Sequence, residues 1–168
     1  VSIVMRAAIF TVILCAACAT VRATEPVNDS VEKQAMALAN EFVGLLKPQL
    51  KHALAKGGPT SAIAACADVA PGIAQSLSNQ SGWTVKRVSL KSRNASRAVP
   101  DSWEKTVLLE FDRRQAAGEN PANIRLSEVV GGQYRYMQAQ VVEPVCLVCH
   151  GQNLAPDVTR SLQEYYPD

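Results

Sequence analysis

The chain has 168 residues, 48% of them apolar and 19% charged, enough to bury one ordinary core and too few for two full domains. Seventeen Lys and Arg stand against fifteen Asp and Glu. Arg6 and Arg22 fall in the leader segment described next, and without them the charges balance at fifteen each; a neutral domain gives no electrostatic reason to expect a nucleic-acid partner.

Arg6 supplies a short positive start, Ala7 to Ala19 an apolar run, and Val21-Arg22-Ala23 a small-x-small cleavage pattern. These are the three parts of a secretory signal. The sequence therefore predicts a signal peptide over 1–23, export to the periplasm, and a single domain over 24–168. The apolar run of about 13 residues falls short of the roughly 20 that cross a bilayer as a helix, so no transmembrane span is expected. Cys18 follows Ala16-Ala17 as a lipid-anchor cysteine does, but Cys15 stands where such a motif prefers Leu, which argues against acylation.

After a polar lead, Val31 to Lys56 carries Ala35, Leu38, Phe42, Leu45 and Leu46 at helical spacing, behind Asn28, Asp29 and Ser30 as candidate caps. Gly57-Gly58-Pro59 closes that helix. A second runs from Thr60 to about Gln80, with Ile63, Cys66, Val69, Ala70, Ile73 and Leu77 on one face and Pro71 set to kink it. Trp83 to Leu90 alternates apolar and polar residues as a half-buried strand does. A basic loop, Lys91 to Val99, follows. Pro100 and Asp101 then open a third helix over Ser102 to Ala117, with Trp103, Val107, Leu108 and Phe111 as its apolar face. Gly118 to Ala122 reads as a turn. Ile124 to Val130 and Gln133 to Val142 read as two strands joined at Gly131-Gly132, and Pro156-Asp157 opens a short C-terminal helix.

Beyond the leader three cysteines remain, Cys66, Cys146 and Cys149. An odd number makes a poor disulfide framework for an oxidising compartment. Cys146-Leu147-Val148-Cys149-His150 has the spacing of c-type haem attachment, in which two thiols one short turn apart form thioethers and the next histidine reaches the iron. One covalent haem c, bound through Cys146 and Cys149 with His150 as a metal ligand, is the expected cofactor. Two other readings of the same residues are a redox dithiol, for which the surrounding βαβ pattern is lacking, and a zinc site completed by Cys66 or His52, in which adjacent Cys149 and His150 make poor joint ligands.

A single such motif leaves one axial position open. The soft or imidazole donors left to fill it are Met36, Met137, His52 and Cys66. On spacing alone Met36 and Met137 read as core residues, His52 as solvated among Gln49, Lys51 and Lys56, and Cys66 as a small buried hydrophobe. Lys86, Arg87, Lys91, Arg93 and Arg97 place five cations in twelve residues with no acid among them. Guanidinium forks suit carboxylates, which makes Arg87 and Arg93 candidates for the haem propionates.

Several stretches together resemble one bacterial family: Ala62-Ile63-Ala64-Ala65-Cys66, Ala70-Pro71-Gly72-Ile73-Ala74, Arg87-Val88-Ser89-Leu90-Lys91-Ser92-Arg93-Asn94, Trp103-Glu104 and Cys146-Leu147-Val148-Cys149-His150-Gly151. It is a family of exported, PAS-like c-type haem domains with a domain-of-unknown-function label, typified by a cyanobacterial member. The resemblance spans nearly all of 24–168 in one order. It implies an α+β fold, a PAS-like antiparallel sheet flanked by helices, and His/Cys axial ligation carried here by His150 and Cys66. The chain departs from the family pattern at Arg93-Asn94-Ala95-Ser96-Arg97, where members read Arg-Asn-Pro-x-Asn, and at Tyr166-Pro167-Asp168, where members continue into a glycine-containing loop and a strand. A sheet short of its last strand, or a fragment, is the corresponding expectation.

A thiolate opposite imidazole favours ferric iron. The expected function is therefore low-potential electron transfer with a redox partner protein, and the alternative is a haem-based redox or diatomic-gas sensor. No catalytic constellation of His, Ser and acid is apparent in the sequence, so an enzyme is not expected.

Overall fold

The computed structural model describes residues 1–5, 29–94 and 97–167. Its elements in chain order are β1 (Ser2–Met5), α1 (Asp29–Ser81), β2 (Trp83–Lys86), α2 (Ser102–Ala116), a 3-10 turn (Pro121–Asn123), β3 (Arg125–Val130), β4 (Gln133–Gln138), α3 (Pro144–His150) and α4 (Pro156–Tyr165). The fold class is α+β, with four helices and one four-stranded antiparallel sheet among the described residues.

The two helices expected before Trp83 form one element with a break. Gly57 and Gly58 leave helical geometry, and Gly58 has φ of 69°, a left-handed conformation that side-chain-bearing residues rarely adopt. This break sets two arms, 29–56 and 59–81, at an angle, while Pro71 is accommodated within the second arm. Along the first arm Ala35, Ala39 and Phe42 are buried. Leu45, expected on that face, is 47% exposed; one residue further round the helix, Leu46 takes the inward position.

The sheet order is β2-β1-β4-β3. Ile3 sits opposite both Val85 of β2 and Tyr136 of β4, so β1 joins the two halves of the sheet. The β3–β4 hairpin turns at Gly131 and Gly132, both with positive φ, as the paired glycines predict. Alternation along β4 sorts its side chains between two cores. Tyr134 and Tyr136 join Trp83, Val85, Phe42 and Leu77 against α1, and Met137 joins Val107 and Phe111 of α2 with Ile124. Trp83 meets Tyr134 edge to face at 6.0 Å.

Two strands are shorter than their alternation suggests. β2 ends at Lys86 and β4 at Gln138. Beyond Lys86 the backbone bonds to its own loop instead of to a neighbouring strand: Ser89 N–H donates to Ala98 O at 3.1 Å. Ala139 N–H still reaches Ile124 O at 2.9 Å, and from there the chain runs toward α3.

The residues of β1 are also the first residues of the expected leader. Ser2 and Ile3 are fully buried, so cleavage after Ala23 would remove the strand that pairs β2 with β4. The apolar run, the cleavage pattern, Cys15 and Cys18 lie outside the described residues. No described helix is long and apolar enough to cross a membrane.

α2 opens on a reciprocal cap. The Asp101 carboxylate accepts from Glu104 N–H at 2.9 Å, and the Glu104 carboxylate accepts from Asp101 N–H at 2.9 Å. Glu104 is fully buried. It also takes hydrogen bonds from Ser2 Oγ at 2.5 Å and Lys86 Nζ at 2.9 Å, with Arg135 Nη2 at 3.3 Å. Trp103, beside it, lies 4.3 Å under the Arg135 guanidinium. The Trp103-Glu104 pair thus ties α2 to β1, β2 and β4.

A cysteine and histidine cavity between helix α1 and helix α3

The motif Cys146 to His150 lies on α3, a seven-residue helix begun by Pro144, which the sequence reading did not assign as a helix. Positions i, i+3 and i+4 of a helix share a face, so Cys146, Cys149 and His150 look the same way, and all three line one cavity. Leu147 and Val148, the intervening pair, are on the outside and exposed. The spacing of the motif thus becomes a face.

Gly151 ends α3 by bringing its backbone against the preceding turn. Its N–H donates to Leu147 O at 2.9 Å, and a Cβ built on it would stand 2.4 Å from that same oxygen. Gly151→Ala must therefore shift the end of the helix next to His150. The expected cost is about 1–3 kcal/mol, read as a lower urea midpoint; an unchanged midpoint would show that the turn can relax freely.

The cavity holds about 1420 Å3, above the roughly 300–1,000 Å3 usual for small-molecule pockets. One wall comes from the first arm of α1, through Phe42, Leu46, Leu50 and Leu54. The second arm contributes Cys66, about 80 residues before the motif in sequence and on the same cavity. The glycine break in α1 is what lets both arms face it.

All three cysteines are free thiols. Burial pushes the Cys66 thiol pKa up, Arg87 works against that, and the sulfurs of Cys149 and Cys146 add to it. Cys149 is raised by burial and Cys146, with Arg93 opposing. Burial, followed by the Arg93 and Arg87 charges, pushes the His150 imidazole pKa down. A neutral imidazole keeps a lone pair for a metal.

Of the other donors considered for the open axial position, Met137 borders the cavity but packs in the α2 core. Met36 packs against the α1 core, and His52 is exposed; neither lines the cavity. Among the described residues no group of three or more His, Cys, Asp and Glu side chains is placed to hold a bare metal ion.

The cations between Lys86 and Arg97 form a further wall, and they differ in their engagements. Lys86 is paired with Glu104. Arg93 donates through Nη1 to the Cys149 carbonyl oxygen. Arg87 lines the cavity and, among the described residues, makes no ion pair or side-chain hydrogen bond. Tyr166 is a cavity residue that the sequence reading passed over. It follows α4, which packs on α1, and burial, then the nearby Cys66, push its phenol pKa up. Its place in Tyr166-Pro167-Asp168 is the signal that the sequence offers for it.

Fold and site together define an α+β domain in which two thiols and a histidine on one short helix share a large, partly apolar cavity with a third thiol from a distant helix. The chain belongs to the Tll0287-like family, whose model matches residues 14–168. No curated protein and no solved structure matches it.

Proposed function

We propose that this protein is an exported monohaem c-type cytochrome-like domain of PAS-like architecture, serving low-potential electron transfer with a redox partner protein in the periplasm. The observation that carries the reading is that Cys146, Cys149 and His150 share a single cavity with Cys66. The donor set suits the group. The free thiols of Cys146 and Cys149 can each add S–H across a vinyl C=C bond, giving a thioether with no external oxidant or reductant. The imidazole of His150 and the sulfur of Cys66 would be the protein ligands of the haem iron. The wall of Phe42, Leu46, Leu50 and Leu54 offers an apolar surface to the porphyrin, and Arg87 offers an unengaged guanidinium to a propionate. When bound, haem supplies one-electron iron chemistry, and thiolate ligation keeps its potential low.

Export with processing after Ala23 would remove β1 and, with it, Cys18. One measurement covers both attachment and processing: the denatured mass of the protein made with c-type maturation machinery, beside a pyridine haemochrome spectrum. The expected mass is that of residues 24–168 plus one haem. A mass without covalent haem overturns the haem reading, and one that retains 1–23 overturns the processing.

Sensing is the second reading, in which Cys66 would leave the iron on reduction and free a position for a diatomic gas. Carbon monoxide separates the two. A carrier keeps its six-coordinate spectrum when reduced under CO, whereas a sensor forms a rapid CO adduct.

A further inference from the structure

Resting on the haem reading, we propose that Arg93 is a positioning residue that holds the motif helix α3 ready for attachment, leaving Arg87 to meet the propionates. α3 has seven residues, too few to be stable alone in water. Its N-cap, Glu143, makes no side-chain capping bond to the helix. The Glu143 side chain instead accepts from Lys47 Nζ of α1 at 2.5 Å, a pair more than a third exposed on both sides and therefore weak.

The opposite end is held differently. The last carbonyls of a helix have no partner within it and carry its negative pole. Leu147 O is satisfied by Gly151 N–H, and Cys149 O by the guanidinium of Arg93, 56 positions away in sequence. The anchor is itself braced. Ser89 N–H donates to Ala98 O at 3.1 Å, Ala98 N–H to Asn94 O at 2.9 Å, and Ser92 Oγ to Asn94 O at 2.9 Å. Arg93 therefore joins a hydrogen-bonded loop to Cys149, next to His150 in the motif, and it sets the rotation of the face that carries Cys146, Cys149 and His150. A positive donor at a helix C-terminus is favourable both as a charge and as a hydrogen bond.

The test is hydrogen exchange over 144–151 in the full chain, with and without haem loaded, for Arg93→Gln, Arg93→Lys and, as comparison, Arg87→Gln. Arg93→Gln is expected to speed exchange of α3 about tenfold in both forms. Arg93→Lys, which keeps the charge but loses the fork, is expected to fall between it and the parent. Arg87→Gln is expected to leave α3 unchanged without haem. The haem-loaded fraction by denatured mass should drop for Arg93→Gln. Unchanged exchange in both forms overturns the proposal, and so does a change confined to the loaded form, which would assign Arg93 to the propionates. A parent chain that takes up no haem would instead defeat the haem reading, while the exchange of the unloaded chain still tests Arg93.

Discussion

Replacing Cys66 by alanine is expected to abolish the ferric low-spin EPR signature of the parent and to raise the reduction potential by on the order of 100 mV or more, since axial ligands set haem potentials over several hundred millivolts. On the proposed haem reading, the physical ground is that among the described residues Cys66 is the soft donor outside the motif that lines the cavity of Cys146, Cys149 and His150 without a place in a packed core. If Cys66 ligates the iron as proposed, its removal would take negative charge from the ferric state and open a coordination position. Cys66→Met is the informative companion, because a neutral thioether keeps six-coordination while still raising the potential. A Cys66→Ala protein with the EPR and Soret spectra of the parent would leave Cys66 as a packing residue, with the sixth ligand elsewhere.

The second large effect concerns stability. Glu104→Ala is expected to destabilise the domain by about 3 kcal/mol, the lower end of what breaking a buried ion pair costs. Lys86 keeps some contact with water and Arg135 retains Asp101 at 2.6 Å, so neither is left wholly uncompensated. The same change removes half of the reciprocal cap of α2, worth about 1 kcal/mol within that figure. Glu104→Gln preserves shape and most hydrogen bonds and should cost about half as much. Urea denaturation of the full chain, in which Ser2 of β1 still bonds Glu104, measures both. Equal losses in the two variants would mean that shape and not charge governs the site.

Arg135 shows why such a network is hard to foresee. In sequence it is one more cation on an alternating strand, between Tyr134 and Tyr136. In the fold it is buried to 9% exposure, stacked on Trp103 and bonded to Asp101. The bond from Arg135 and the one from the Glu104 backbone outweigh burial and hold the Asp101 carboxyl below 3.8. Local pattern reported that α2 begins at Asp101; it could not report that the start of this helix is fastened to the sheet.

By itself the sequence determined the features that depend on neighbours along the chain. Helical spacing, the Gly57-Gly58 break, the Gly131-Gly132 turn and the cap at Asp101 all follow from periods of two or 3.6 residues and from backbone freedom at glycine. Tertiary structure alone decided what those faces meet. It brought Cys66 and Tyr166 to the cavity of the motif, turned Arg93 to the Cys149 carbonyl while Arg87 stayed unengaged, buried Glu104 among cations, and placed Ser2–Met5 between β2 and β4. Contacts between residues far apart in the chain come from packing complementarity, which leaves no periodic trace in a single sequence.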